Sequence, residues 1–111
     1  MIKERKILVC ADTGIAIRSS GDVSSAVGAC FGTDGVILAE TDLSPEFFDL
    51  RTGLAGELFQ KFINYRIPVA IVLSDPDAYG KRFSELAREH SSHGIIRFVR
   101  TLNEAIEWLT E

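Results

Sequence analysis

Phe47-Phe48-Asp49-Leu50-Arg51-Thr52-Gly53-Leu54-Ala55-Gly56-Glu57-Leu58-Phe59-Gln60-Lys61-Phe62 decides the fold class of this chain. From Thr52 to about Tyr65, the residues Leu54, Ala55, Leu58, Phe59, Phe62 and Ile63 fall on one stripe at helical spacing. Glu57, Gln60, Lys61 and Asn64 take the other side. Glu57 and Lys61 stand four apart in the favourable orientation for a helix-surface pair. A helix with so apolar a face needs a sheet to cover. Continuous apolar runs flank it, Val36-Ile37-Leu38-Ala39 before and Pro68-Val69-Ala70-Ile71-Val72-Leu73 after. Such runs mark strands shielded on both faces.

Working outward, Ser44-Pro45-Glu46 predicts a cap with proline at the first helical position and a short helix through Leu50. Lys6 to Ala11 reads as a first strand, Asp12-Thr13-Gly14 as a tight turn, and Ile15-Ala16-Ile17-Arg18 as the returning arm of a hairpin. Asp22 or Ser20 caps a helix carrying Val23, Ala26, Val27 and Cys30. Downstream, Phe83, Leu86, Ala87 and His90 mark another helix, and Ile95 to Val99 a last strand. Thr101-x-x-Glu104 is a capping box opening a helix with Leu102, Ala105, Ile106 and Leu109. The order β-β-α-β-α-β-α-β-α predicts one α/β sandwich domain spanning 1–111. It has a mixed β-sheet with an N-terminal hairpin, and four or five helices. Its expected core is Val9, Val36, Leu38, Leu58, Phe62, Val69, Ile71, Phe98 and Leu109.

Composition bounds the function. The chain has 111 residues, 46% of them hydrophobic, and a formal net charge of -4. An acidic chain whose only basic cluster is Lys3-Glu4-Arg5-Lys6 is not a nucleic-acid surface. No apolar run is long enough to cross a bilayer, so no membrane partner is expected and the placement is cytoplasmic. Cys10 and Cys30, twenty positions apart among apolar neighbours and without a CxxC, read as buried free thiols.

The glycines Gly14, Gly21 and Gly28 lack dinucleotide-fold spacing and no phosphate-loop pattern occurs, so no cofactor is expected. Glu40 with Asp42, or Asp75 with Asp77, have the oxygen chemistry of a hard-cation site, but acids in these positions are ordinary turn formers, and no metal is expected. His90 and His93 straddle a helix end, where a histidine serves the last carbonyls and the dipole. Thr52 stands apart: its hydroxyl caps a helix start, Gly53 and Gly56 leave the backbone accessible, and Arg51 is placed to pair with an anion there.

Two functions follow from these residues. The leading one is a non-enzymatic regulatory or protein-interaction module using Phe47, Phe48, Asp49, Arg51, Thr52, Gly53 and Gly56, since no complete catalytic constellation exists and one of two adjacent phenylalanines can serve as an apolar anchor. The alternative is a small-ligand binder or enzyme in which Glu40 and Asp42 join Asp49, Arg51 and Thr52 at the carboxyl ends of the strands. The sequence names no protein partner, and a homodimer is an open expectation for so apolar a domain.

The segment Asp42-Leu43-Ser44-Pro45-Glu46-Phe47-Phe48-Asp49-Leu50-Arg51-Thr52-Gly53-Leu54-Ala55-Gly56-Glu57 resembles the hallmark of a bacterial family known as domain of unknown function 4180. So do its continuation Gln60-Lys61-Phe62 and Asn64-Tyr65 and the ending Ile96-Arg97-Phe98 with Glu104-Ala105-Ile106-Glu107-Trp108-Leu109. The resemblance spans nearly the whole chain and implies a small bacterial protein without an assigned activity. More distantly, Asp49-Leu50-Arg51-Thr52-Gly53-Leu54-Ala55 is similar to the Asp-Ser-Ser-Gly-Leu segment of STAS domains, the anti-sigma factor antagonists and sulfate-transporter tails. That likeness implies a STAS-like fold. Here, however, Leu50-Arg51 take the place of the phosphorylated serine, and Asp49 stands one residue further from Gly53 than the pattern has it.

Overall fold

Four parallel strands stand side by side in the order in which the chain makes them. They are β1 (Ile7–Val9), β2 (Gly35–Ala39), β3 (Val69–Val72) and β4 (Ile96–Val99) in a computed structural model that describes residues 6–10, 14–91 and 93–111. Five helices accompany them among the described residues: α1 (Ser20–Cys30), α2 (Pro45–Phe48), α3 (Leu54–Asn64), α4 (Lys81–Glu89) and α5 (Leu102–Leu109). Proline opens α2 with Ser44 at the N-cap position, as expected, but the Ser44 hydroxyl makes no capping hydrogen bond and the helix stops at Phe48, short of Leu50.

Strand order dictates the layers. A parallel crossover is right-handed, so crossovers that always step in the same direction deliver their helices to the same face. Val36, Leu38, Val69, Ile71, Ile96 and Phe98 point to that face and meet Val23, Val27, Leu58, Phe62, Phe83 and Ala87 from α1, α3 and α4. Alternate residues Ile37 and Ala70 point the other way, where α5 supplies Ala105 and Leu109. β1, β2 and β3 carry no polar side chain because both faces are covered, and β4 is interrupted by Arg97 alone. Every expected core residue is buried except Val9, which is half-buried on the α5 side.

The sheet is therefore wholly parallel among the described residues, and the mixed sheet with an N-terminal hairpin is corrected. The expected turn at Asp12-Thr13 lies outside those residues. Its returning arm, however, does not pair with β1. The Ile17 N–H donates to the Asp42 carbonyl at 2.7 Å and its carbonyl accepts from the Ser44 N–H at 3.0 Å, a single parallel bridge beside the exit of β2. Burial decides this: Ile17 is fully enclosed in the main core, whereas a strand added at the β1 edge would leave it half in water.

Glu57 and Lys61 do not pair with each other as their spacing suggests. Glu57 accepts from the Ser20 hydroxyl at 2.8 Å and the Lys61 ammonium donates to Ser24 Oγ at 2.9 Å. Ser20 and Ser24 are one helical turn apart too, so the two bonds clamp α1 onto α3. On the opposite face, a Cβ on Gly35 would stand 2.8 Å from Leu109 Cδ2, so the lack of a side chain lets α5 lie close to β2. The Arg97 guanidinium stacks over Trp108 at 4.5 Å. Thr101 Oγ1 accepts from the Glu104 N–H at 3.2 Å, while the Glu104 carboxylate closes on the N–H of Arg100 and not of Thr101.

Cys10 and Cys30 form no disulfide and are both fully buried in the main core. Burial pushes the Cys10 thiol up to about 12, with Cys30 and the Asp42 carboxylate adding to the effect, and pushes Cys30 up to about 11. Both stay protonated at neutral and mildly alkaline pH, and the thiolate is the reactive form. The expected result with a thiol-reactive chromophore at pH 8 is no labelling of native protein and labelling of both residues in guanidinium chloride. Rapid native labelling would contradict the burial.

Candidate functional site

In a parallel sheet the loops gather at the carboxyl ends of the strands. Here the strand order never reverses, so no crevice opens between helices on opposite faces, and any concavity must be built from the loops themselves. The segment after β2 and the segment after β3 build one. Pro45, Phe48, Asp49 and Arg51 form one wall and Tyr79, Gly80, Lys81 and Arg82 the other, around a groove of about 630 Å³.

Phe47 and Phe48 divide the work between core and groove. Phe47 is fully buried, edge-on to Phe59 and Phe83. Phe48 is half-buried; its ring stacks on Tyr79 with centroids 3.7 Å apart and meets Phe83 edge-on at 5.1 Å. The stacked pair gives the groove a flat aromatic floor that bridges α2 and the start of α4.

Asp49 and Arg51 form an exposed pair on the rim. Arg51 Nε donates to Asp49 Oδ1 at 3.0 Å, Nη2 donates to Oδ2 at 3.0 Å, and the Arg51 backbone N–H adds a third bond at 3.1 Å. The Arg51 side chain is 85% exposed and that of Asp49 38%. Hydrogen bonding from the Arg51 guanidinium and backbone holds the Asp49 carboxyl below its ordinary range. A general base works best with its pKa raised toward neutrality, and Asp49 moves the opposite way.

Thr52 ends a turn of 3₁₀ helix over Leu50–Thr52 and is not the residue that caps α3. That position belongs to Gly53, whose φ of +76° is left-handed and suits glycine. The Thr52 hydroxyl lies within hydrogen-bonding distance of the Glu46 carbonyl at 2.7 Å and the Asp49 carbonyl at 2.9 Å, and accepts from the Leu54 N–H at 3.3 Å. It thereby ties α2 to the start of α3. A Cβ at Gly56 would meet nothing within 4 Å, so its small size is not demanded by packing.

Glu40 and Asp42 do not join this groove. Asp42 is buried, and its Oδ2 accepts from the Ala39 N–H at 2.8 Å to cap the end of β2. Asp75 likewise accepts from the Asp77 N–H at 3.1 Å, and Asp77 accepts from the Ser84 hydroxyl. His90 Nδ1 meets the Leu86 carbonyl at 3.0 Å, and His93 Nδ1 accepts from the N–H groups of Ile95 and Ile96 at 3.1 Å each. These side chains are turn and cap chemistry. No cluster of three or more His, Cys, Asp or Glu suited to a metal ion occurs among the described residues, and none of the described helices is long and apolar enough to cross a membrane.

Sequence reasoning missed Tyr79, Lys81 and Arg82, and saw in Phe83 only a core residue. A signal was present: Tyr79 and Phe83 stand four apart around Gly80, at the carboxyl end of a fully apolar strand. The family model of the domain of unknown function DUF4180 matches this chain over residues 2–109. No curated protein and no solved structure matches it.

Proposed function

We propose that this chain, which belongs to the DUF4180 family, is a non-enzymatic interaction module that receives an acidic protein segment in the groove between α2 and α4. The observation that carries this reading is the composition of the groove: an aromatic floor of Phe48 and Tyr79 beside Arg51, Lys81 and Arg82, against the single carboxylate of Asp49. That carboxylate is already spent on Arg51, while Lys81 and Arg82 have no ion-pair partner among the described residues. A basic groove on a chain of net charge -4 stands out electrostatically and steers an acidic partner toward one face. An aromatic floor supplies the desolvated centre on which interface energy concentrates.

Catalysis has less support. The groove contains no histidine or cysteine, and its carboxylate is paired in solvent. The reading does not rest on the likeness to STAS domains, because the segment that carries that likeness has its threonine hydroxyl committed to backbone.

A display of acidic peptides with and without an aromatic residue tests the proposal. Binding should weaken by about tenfold or more in Phe48→Ala, an interface anchor being worth roughly 2 kcal/mol. It should also weaken in Lys81→Glu/Arg82→Glu, and fall as salt is raised. Peptide binding equal in wild type and both variants would remove the groove from consideration.

A further inference from the structure

The β3–α4 connection has a second side. Away from the groove, Pro76 and Asp77 face a separate cleft of about 240 Å³ over the carboxyl ends of β3 and β4, closed by the last turn of α4 and by Arg100. Arg88 and Arg100 line it, together with the apolar residues Ala87 and Phe98 of the main core and the edge of β4 at Val99. We propose that this cleft is a binding site for a small oxyanion, a carboxylate or a phosphate group on a short apolar carrier. This goes beyond the peptide groove and does not depend on it.

Charge bookkeeping supports the assignment. Neither Arg88 nor Arg100 has a side-chain hydrogen bond or ion pair among the described residues. Asp77 is the one carboxylate that lines the cleft, while Glu104, Glu107 and Glu111 line a neighbouring depression that Arg100 shares. Asp77 accepts from the Ser84 hydroxyl, and the Glu104 carboxylate accepts from the Arg100 backbone N–H at 3.0 Å. Two guanidiniums thus face one carboxylate within the cleft.

The helix end does not undo this balance. A helix C-terminus repels anions through its unpaired carbonyls. In α4 the Leu86 carbonyl meets His90 Nδ1 at 3.0 Å and the His90 N–H at 3.1 Å. The Arg88 carbonyl accepts from the Ser91 hydroxyl at 2.9 Å and the Ser91 N–H at 3.2 Å. Those groups occupy two of the last-turn carbonyls, and the guanidinium forks remain donors without a partner among the described residues. Each presents a planar pair of N–H groups matched to a carboxylate or phosphate edge. The volume sets the size class, since drug-sized ligands occupy cavities of roughly 300–1,000 Å³ and this cleft is smaller. The apolar lining favours a carrier over a bare ion.

The test is an amide-resolved NMR titration of the full chain with inorganic phosphate, phenyl phosphate and butyrate, repeated on Arg88→Gln, Arg100→Gln and the double variant. These positions are exposed, so the variants should fold, and their spectra will show it. Saturable shifts at Ser91, Val99 and Arg100 are expected, with phenyl phosphate or butyrate tighter than inorganic phosphate. Each substitution should weaken binding by about tenfold, the scale of one charge-assisted contact. Tighter binding of phenyl phosphate than of inorganic phosphate shows that the carrier contributes, and a preference for inorganic phosphate over both organic probes would overturn the carrier. Absence of saturation with all three probes would overturn the proposal, as would saturation unchanged in the double variant.

Discussion

Phe62→Ala is expected to lower the stability of the domain by about 3–5 kcal/mol, the range for deleting a fully enclosed phenylalanine. The side chain has no solvent exposure and sits in the main core from the last turn of α3. Shortening it removes apolar contact and leaves a cavity that a sheet held from both sides cannot collapse to fill. For a domain near this size each kcal/mol moves the melting temperature by roughly 4–8 °C, so a fall of at least about 12 °C is the expected reading in a thermal melt. Phe31→Ala makes the control, since Phe31 is 58% exposed and touches Tyr65 edge-on at the far end of the helices. Its cost should stay below about 1 kcal/mol. Equal melting temperatures for the two variants would mean that the stripe is not seated as described.

Leu109→Ala should cost about 2–5 kcal/mol, again by deletion of a buried side chain, and it carries a more specific signature. Leu109 is 3% exposed and fills the space over Gly35, where a Cβ would come within 2.8 Å of its Cδ2. In the wild-type background Gly35→Ala presses against that methyl. Once Leu109 has become alanine, the same methyl group enters vacated space. The two substitutions should therefore be non-additive, with the double variant more stable than the sum of the singles by about 0.5 kcal/mol or more. Simple additivity in denaturant melts would show that α5 does not rest on β2 through this contact.

The long-period features of the fold were legible in the sequence. Five positions of the α3 stripe, Leu54, Ala55, Leu58, Phe59 and Phe62, follow from helical spacing alone and are buried. Ile63, at the edge of the stripe, is 37% exposed. The apolar runs at Val36 and Val69 were legible for the same reason, needing only cover on both sides. The hairpin was not. Ile15 to Arg18 has hairpin-like alternation, but its partner was chosen by the deep burial of Ile17 beside Leu43, a contact across twenty-six positions that no local pattern encodes.

The candidate site divides along the same line. Phe48, Asp49 and Arg51 lie within one segment and were found together. Their opposing wall, Tyr79 to Arg82, comes from the next crossover and is joined to them only by the sheet. Thr52 and Asp42 illustrate a second limit: both carry the residue chemistry of a site, and both are consumed by backbone groups within six positions in the chain. Sequence displays a hydroxyl or carboxylate; it does not display which carbonyl or N–H arrives to claim it.

The sequential strand order has a consequence for how the molecule comes into being. A strand whose partner was made just before it closes across a single helical crossover, the shortest separation that parallel pairing allows, and waits on no strand made later. On the ribosome, β2 can dock on β1, β3 on β2 and β4 on β3 as each emerges, every addition bringing its own helix to the growing layer. No half-built sheet has to hold a gap for a strand still to be synthesised. The exception is the opposite face, where Ile37 and Ala70 stay bare until Leu102–Leu109 has been released. During synthesis, the adhesive surface that chaperones would meet is therefore the one that α5 finally covers.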